Sequence, residues 1–360
     1  MTRRSPHPLF RRAPQIAGAL FLLAAGFGLV SCRDDDTTPD WDGTAAGAAA
    51  EAVPGESPAA PAPAEPESAS LPGPAAPAPE GEDAPAANSL RFLSYNLENY
   101  LTMTRYQNSK RIDTPKPERE KEAVVALIVA TNPDVLGVCE IGTRADLADL
   151  QQRLAEAGLD LPHTEHAGGA DETRKLGLLS RFPITARNSQ RDLTYNLQGQ
   201  ITPIRRGILD ATVDAHGKAI RFLGVHLKSK REIAEADQEL IRRNEAYLLR
   251  KHADAILAED PDALLCAYGD FNDTRRTTTV RSIKGPYGSE RFLEDLPIRD
   301  SSGLLWTHYW DYQHIYSRFD FVLVSPALKP LAQLKKSYIV DDPSWKTASD
   351  HRAILAVFEW

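Results

Sequence analysis

A layered α/β domain (α+β in some schemes) with mixed β-sheets is the fold class this sequence predicts from about Asn88 to Trp360. Three observations predict it. Apolar runs of strand length alternate with stretches whose apolar residues recur at helical spacing. Several strand-like runs follow one another with no helix between them, which suits mixed sheets better than a doubly wound parallel sheet. The stretch is roughly 270 residues long, enough for one large domain or two small ones.

The elements follow in order. Leu90 to Asn96 is strand-like and ends in polar residues. Glu118 to Ala130 is helical, with Val124, Leu127 and Ile128 on one face, and Asn132-Pro133 stops it. Asp134 to Cys139 is a short buried strand that delivers Glu140. A helix is expected from Ala145 to Ala157, stopped by Gly158. Leu176 to Ser180, Ile208 to Val213 and Ile220 to Leu227 read as strands. A long helix is expected from about Glu232 to Ala258, with Leu240, Ile241, Tyr247, Leu248, Ala255 and Ile256 near one stripe. Ala263 to Tyr268, Phe319 to Val324 and Ala353 to Phe358 read as the remaining strands.

The first 87 residues have another character. Arg3, Arg4, Arg11 and Arg12 precede an apolar run from Ile16 to Val30, the layout of an export signal too short for a comfortable membrane span. The run ends in Leu29-Val30-Ser31-Cys32, which resembles a bacterial lipobox, whose Cys is lipidated and becomes the new N-terminus. Residues 1–32 are therefore expected to be a lipoprotein signal peptide with its anchor at Cys32. The protein is then exported and tied to the cell envelope. Arg33 is not the Asp that holds enterobacterial lipoproteins at the inner membrane, which points to the outer membrane; the outer face of the cytoplasmic membrane is the alternative. Residues 33–87 are Ala, Pro, Glu and Gly with almost no large apolar side chains, including Pro-Ala-Ala-Pro-Ala-Pro at Pro58 and again at Pro74. Such a stretch cannot bury enough surface to offset the entropy of ordering it, and its Pro density makes it an extended, disordered tether.

The formal net charge of −8 is unevenly spread. Asp34 to Asn88 carries twelve acidic residues and no Lys or Arg, while five Arg and no acid precede it. The remainder holds 37 of the 42 basic and 38 of the 50 acidic residues, so the folded part is near neutral. Bulk charge therefore argues against tight, sequence-independent wrapping of nucleic acid. Cys139 and Cys266 sit inside apolar runs and are expected to be buried, unpaired small residues.

The chemistry gathers at the strand ends. Asn96 follows Phe92 to Tyr95, and Glu140 follows Val135 to Cys139. His226 closes Phe222 to Val225, and Asp270 and Asn272 follow Leu264 to Gly269. Asp320 lies in Phe319 to Leu323, and Asp350-His351 precedes the last strand. A buried carboxylate without a partner is costly, so these groups must meet metal, each other or water. The oxygen donors Asn96, Glu140, Asp270, Asn272 and Asp350 suit Mg²⁺, Mn²⁺ or Ca²⁺, whereas Zn²⁺ would want more His or Cys. Two His beside spare carboxylates suit proton handling and charge stabilisation.

Six segments carry a resemblance. They are Ser94 to Asn99, Val138 to Ile141, Gly224 to Ser229, Gly269 to Asp273, Ser317 to Val322 and Ser349 to Arg352. In this order they resemble the endonuclease/exonuclease/phosphatase superfamily, which includes pancreatic-type deoxyribonuclease, abasic-site endonucleases, neutral sphingomyelinases and inositol polyphosphate 5-phosphatases. The resemblance spans essentially the whole of residues 88–360, read as the catalytic domain. It implies a four-layer sandwich, two packed mixed β-sheets flanked by helices, with the site where strand ends converge.

The resemblance also implies roles. Glu140 would be the principal metal ligand, helped by Asn96 and Asp350, with Mg²⁺, Mn²⁺ or Ca²⁺ as the ion. Asp270 would orient or deprotonate the attacking water, and Asn272 would fix Asp270 and touch the phosphate. His351 would bond a phosphate oxygen, its ring held and its charged form favoured by Asp320. His226 would be a second catalytic His near the leaving oxygen. A metal, two imidazolium-type donors and an Asn amide would supply what phosphate-ester hydrolysis needs. Arg174, Arg206 and Lys228 are candidate phosphate contacts. The loop Trp306, Tyr309, Trp310, Tyr312 and Tyr316 could stack on bases, but packing is the favoured reading.

Three functions compete. The first is a divalent-metal-dependent phosphodiesterase or extracellular nuclease. The second is a phosphomonoesterase or phospholipase-like hydrolase of small or lipid phosphates. The third is a non-catalytic surface binding module, disfavoured because every expected catalytic position is filled. The expected partners are a phosphate-ester substrate, nucleic acid among the options, and a membrane through the lipid; the chain is expected to be monomeric.

Overall fold

β1 (Ser89–Tyr100) opens the folded part, and its side chains alternate between two cores. Leu90 and Phe92 enter one, Leu93, Tyr95 and Leu97 the other. The computed structural model describes residues 88–107, 110–231 and 237–360. The expected signal, lipidated Cys32 and tether all lie outside the described residues.

A hairpin follows, β2 (Met103–Gln107) and β3 (Lys110–Thr114), then α1 (Glu118–Thr131) and β4 (Val135–Ile141). α1 has Glu118 and Glu120 in its first turn and ends on Asn132, whose φ of 42° is left-handed. α2 (Arg144–Glu156) starts from a capping box between Thr143 and Asp146. Next come β5 (His163–Ala167), β6 (Lys175–Ser180), β7 (Ile184–Arg187), β8 (Thr194–Leu197), β9 (Gln200–Pro203), β10 (Leu209–Ala215) and β11 (Lys218–His226). α3 (Gln238–Glu259) is capped by Asp237, which accepts from the Glu239 and Leu240 amides. The chain finishes with β12 (Leu264–Asp270), α4 (Thr278–Lys284), β13 (Glu294–Asp295), β14 (His308–Trp310), β15 (Ile315–Ser317), β16 (Asp320–Val324), β17 (Tyr338–Ile339), the single turn α5 (Trp345–Ala348) and β18 (Ile354–Glu359).

Two six-stranded mixed sheets result. The first runs β17-β18-β1-β4-β6-β5, the second β13-β16-β12-β11-β10-β7. Within them β1 pairs parallel with β4, and β11 with β12; the other ladders are antiparallel. Period-two burial on both sheets dictates the layering. Phe92, Cys139, Phe222, Cys266, Tyr268, Val322 and Ile354 form the core between the sheets. Val124, Ile128, Leu150 and Leu154 of α1 and α2 cover the first sheet. Ile241, Leu249, Ala253, Val280 and Ile283 of α3 and α4 cover the second. This is the four-layer α/β/β/α sandwich. Tyr268 locks the sheets together. Its ring fills a notch at Gly137 of the facing sheet, where a Cβ would stand 2.2 Å from the ring. Cys139 and Cys266 are both free and buried in this inter-sheet core.

Within the described residues the long helix begins at Gln238, and its buried stripe differs from the one expected. Ile241, Leu248, Leu249, Ala253, Ile256 and Leu257 face the core, while Tyr247 and Ala255 are exposed. Tyr247 lies one position off the helical repeat that Ile241 and Leu248 set. The hairpins β2–β3, β8–β9 and β14–β15 have no counterpart among the expected strands. They stand on the surface, where a strand needs no apolar alternation. No helix among the described residues is long and apolar enough to cross a membrane.

Candidate active site

Strand register places three of the expected residues in one row. His226, the last residue of β11, pairs with Asp270, the last of β12, and Asp270 lies opposite Asp320, the first of β16. The facing sheet supplies the other wall. There the β1–β4 pairing breaks between Asn96 and Tyr100, and Glu140 sits on the irregularity. Ser349 closes the gap to the final strand. Its hydroxyl donates to the Asn96 carbonyl at 2.8 Å and accepts from the His351 amide at 3.0 Å.

The backbone is strained where these elements meet. Of the eight non-glycine residues with left-handed φ among the described residues, Glu98, Asn99, Glu140 and Asn272 are here. Each such residue costs of order 1–3 kcal/mol and persists only where its surroundings over-determine it. Gly269, at φ 124°, lets β12 approach β11 so closely that a Cβ would lie 2.0 Å from the Val225 carbonyl oxygen. That approach holds Asp270 beside His226.

Asp270 is buried and surrounded by donors. Its Oδ1 accepts the Asn272 amide at 2.7 Å, and its Oδ2 accepts the side-chain amides of Asn272 at 3.0 Å and Asn96 at 3.1 Å. Burial pushes its pKa up to about 7, against the lowering effect of His351, with Asp320 raising it further. Asn272 thus fixes Asp270, as expected. Both of its amide hydrogens are spent, however, one on Asp270 and one on the Leu227 carbonyl at 3.0 Å, which leaves none for a phosphate.

The two expected histidines are driven apart. His351 places Nδ1 2.7 Å from Asp320 Oδ2 and Nε2 3.7 Å from Asp270 Oδ2. Burial opposes its charge, but Asp320 and then Asp270 outweigh burial and hold its pKa well above the ordinary value. His226 places Nε2 3.6 Å from Asp270 and 3.7 Å from Glu140, and its Nδ1 is buried without a hydrogen-bond partner. Burial, then the charges of Arg206 and His351, push its pKa well below the ordinary value. Where two imidazolium-type donors were expected, the two rings are shifted in opposite directions, His351 toward its charged form and His226 toward its neutral form.

The metal candidates converge on the other side. Glu140 Oε2 accepts the Asn99 amide at 2.9 Å, and the Asn96 Oδ1 accepts the Glu98 amide at 3.1 Å. Asp350 is half-buried near His351, and burial followed by the Glu140 charge raises its pKa against the lowering effect of His351. Glu98, which the sequence reading passed over, is pushed up to about 7 by burial and by Asp350. Carboxylates crowded into one pocket, where Glu140 raises the pKa of both Glu98 and Asp350, form with the Asn96 oxygen the hard donor set a divalent cation satisfies.

The three expected phosphate contacts separate. Arg174 reaches Glu140, Nε to Oε2 3.7 Å, and so borders the site. Arg206 is buried, pairs with Asp171 at 3.2 Å and lies close enough to His226 to depress its pKa. Lys228 turns away: its ammonium binds Ser229 and the Arg231 carbonyl at 3.1 to 3.3 Å. Its backbone amide is held by the buried Glu245 at 2.8 Å.

The aromatic loop is β14–β15. Trp306 and Tyr309 pack against Trp345 and Tyr316 packs on both of them, whereas Trp310 and Tyr312 are exposed at the outer part. The packing expected of the whole loop therefore holds for its base alone. The hairpin is tied to the site, because the Tyr309 amide donates to the Asp350 carbonyl at 3.0 Å and His308 bridges to His351. His308 was missed from sequence. It sits among aromatic residues rather than at the end of an apolar run, and only the fold brings it beside Asp350 and His351.

Residues 93–351 match the sequence profile of the Endonuclease/Exonuclease/phosphatase family. An endonuclease/exonuclease/phosphatase from Bacteroides vulgatus superposes with a TM-score of 0.53 at 17% identity, covering 75% of this chain and 98% of that one. Beta toxin from Staphylococcus aureus superposes with a TM-score of 0.53 at 14% identity, covering 74% and 99%. A family protein from Leptotrichia buccalis gives 0.52 at 15% identity, covering 75% and 100%. No curated protein matches the sequence at a significant level. By its profile match over most of its length, the chain belongs to the endonuclease/exonuclease/phosphatase family, whose members are metal-dependent phosphoesterases acting on phosphoester bonds.

Proposed function

We propose that this protein is a phosphodiesterase that hydrolyses its substrate by in-line attack of water. The observation that carries the reading is Asp270, a buried carboxyl with its pKa raised to about 7, set 3.7 Å from a His351 held cationic by Asp320. Two groups whose environments push their pKa values in useful directions are the signature of assigned acid–base roles. Asp270 accepts the proton of the attacking water, and Asn272 and Asn96 keep its carboxylate aimed. His351 donates to an equatorial phosphate oxygen, where negative charge builds. His226, its pKa pushed down by burial and by Arg206, approaches the same Asp270 oxygen as His351 at 3.6 Å and would face the leaving oxygen. Glu140, Asn96 and Asp350 would hold Mg²⁺ or Mn²⁺, with Ca²⁺ a weaker fit to a catalytic role. A bound divalent ion supplies charge neutralisation and polarises the phosphoryl oxygen.

A diester is favoured over a monoester by the exposed aromatics Trp310 and Tyr312 on a hairpin anchored to the Asp350 carbonyl. They offer a surface to the second ester arm, and a nucleobase would stack there. The non-catalytic reading loses support because the acid, the base and the oxygen donors all converge. We further propose that the enzyme is exported, anchored by lipid at Cys32, and displayed on a tether ending near Ala87. A substrate panel with Mg²⁺ or Mn²⁺ tests the reaction: plasmid, single-stranded DNA, RNA, bis-p-nitrophenyl phosphate, p-nitrophenyl phosphate and sphingomyelin. Cleavage of diesters in preference to p-nitrophenyl phosphate is expected, and EDTA should abolish it. Exclusive cleavage of the monoester would overturn the reading.

A further inference from the structure

The ring of His226 makes no hydrogen bond among the described residues. Its Nδ1 is buried without a partner, and its Nε2 stands 3.6 Å from Asp270 and 3.7 Å from Glu140. A ring without bonds of its own takes its place from the backbone that carries it. Leu227, the next residue, anchors that backbone on the catalytic side. Its amide donates to the Asp270 carbonyl at 2.9 Å, and its carbonyl accepts the Asn272 side-chain amide at 3.0 Å and Arg206 Nη1 at 3.5 Å.

From behind, α3 grips Lys228 at both of its backbone polar groups. Glu245 Oε2 accepts the Lys228 amide at 2.8 Å, and Arg242 Nη1 donates to the Lys228 carbonyl at 3.1 Å. These two side chains stand three residues apart on one buried helix face. The other oxygen of Glu245 accepts the Arg205 amide at 3.2 Å. Among the charges around Glu245, that of Arg206 opposes the effect of burial most strongly. One carboxylate therefore spans the two segments that carry His226 and Arg206. Arg242 widens the grip, since its Nε reaches Asp273 at 3.2 Å, just beyond Asp270 and Asn272. Burying a carboxylate and a guanidinium is costly, and apolar side chains of similar volume would pack there as well or better. Packing alone does not account for the pair, and the reaction described above uses neither residue.

We propose that Glu245 and Arg242 are positioning residues. From α3 they set the end of β11, and with it the approach of His226 to Asp270 and its spacing from Arg206. The positioning rests on geometry alone; its effect on turnover rests on the phosphodiesterase reading proposed above. Neither residue stands in the catalytic row, and both act through His226.

The test uses the full chain with two separate substitutions. Glu245→Gln keeps the shape but turns an NH₂ group toward one of the two amides, which then loses its acceptor. Arg242→Met frees the Lys228 carbonyl, while Asp273 keeps Lys230 at 2.9 Å. The imidazole nitrogens are read by ¹⁵N NMR, with His226→Ala and His351→Ala assigning the signals. Both variants should keep the circular dichroism of wild type. The His226 signals should move, and those of His351 should stay in place. On a diester, kcat should fall about 10–100-fold, the scale of a lost supporting contact, with KM within about threefold of wild type. Added to His226→Ala, either substitution should cost less than about threefold more. A folded variant whose His226 signals match wild type would overturn the positioning role, whatever its turnover. Losses that multiply fully with that of His226→Ala would overturn the route through His226. Should one variant fail to fold, the other decides by the same signals. Should wild type cleave no diester, the reaction reading has failed and the NMR signals still decide the positioning.

Discussion

Asp270 and Asp320 stand directly opposite each other at the end of an antiparallel ladder, and His351 bridges them. Two facing carboxylates would repel, and burial raises the pKa of Asp270 further. The imidazolium between them resolves the conflict. It is the arrangement from which base and donor follow together, because Asp320 charges His351 while Asp270 keeps an elevated pKa.

That coupling is measurable. His351→Ala is expected to lower turnover by about 10²–10⁴-fold, and Asp320→Ala by less. The double variant should fall far short of the product of the two losses, since the residues act as one unit. A multiplicative result in kcat would separate them. KM should change little in either variant if the donor acts mainly on charge that develops in the transition state.

A second expectation concerns Glu140, which is aimed by the Asn99 amide. The left-handed pair Glu98 and Asn99 is itself clamped by two cations. Lys116 donates to the Glu98 carbonyl at 3.0 Å and Arg105 to the Asn99 carbonyl at 2.9 Å. Arg105→Ala should therefore weaken activation by Mg²⁺ by about 10-fold, the scale of a lost supporting contact, with turnover restored at saturating metal. A Mg²⁺ titration of activity checks it; a loss that excess Mg²⁺ does not repair would assign Arg105 another role.

Stability should depend on pH through Asp210, far from the catalytic row. This carboxylate is fully buried and receives Arg221 at 2.6 and 2.7 Å and His252 at 2.7 Å. Burial raises its pKa, but the Arg221 and His252 hydrogen bonds prevail and hold it below the usual range. Its stabilisation is therefore complete above the unfolded pKa of about 3.9 and fades as pH falls through the lower folded value. Asp210→Ala should cost about 1–3 kcal/mol at neutral pH, because it leaves two partly buried donors without their acceptor. Urea unfolding at pH 7 and again near pH 3 should show the gap narrowing at the acid end. An unchanged gap would refute the linkage.

Cys32→Ser should abolish lipid attachment and signal processing, and a chain beginning at Asn88 should fold without the tether. Phase partitioning into detergent measures the first and circular dichroism the second. A Cys32→Ser protein that stays membrane-bound under high salt would make the apolar run itself the anchor.

Much of the fold was legible because buried strands leave continuous apolar runs, as Val135 to Cys139 and Leu264 to Tyr268 do. The same runs pointed to the site, since each terminates in a polar residue that no apolar core accommodates. The exposed hairpins escaped notice because solvent imposes no period on strands such as Lys110–Thr114. His308 and Glu98 were invisible for a different reason: their neighbours come from other sheets, and single residues carry no spacing. The opposite pKa shifts of His226 and His351 were equally beyond reach, since they depend on Arg206 on one side and Asp320 on the other.

The most direct test of the central claim is Asp270→Asn, assayed on whichever diester the wild type cleaves. The amide retains the shape and most hydrogen-bonding partners of the carboxylate but cannot accept the water's proton. The expected result is a folded protein that binds Mg²⁺ or Mn²⁺ nearly as well as wild type and has lost at least about 100-fold in turnover. A folded Asp270→Asn protein that cleaves the diester as fast as wild type would contradict the account.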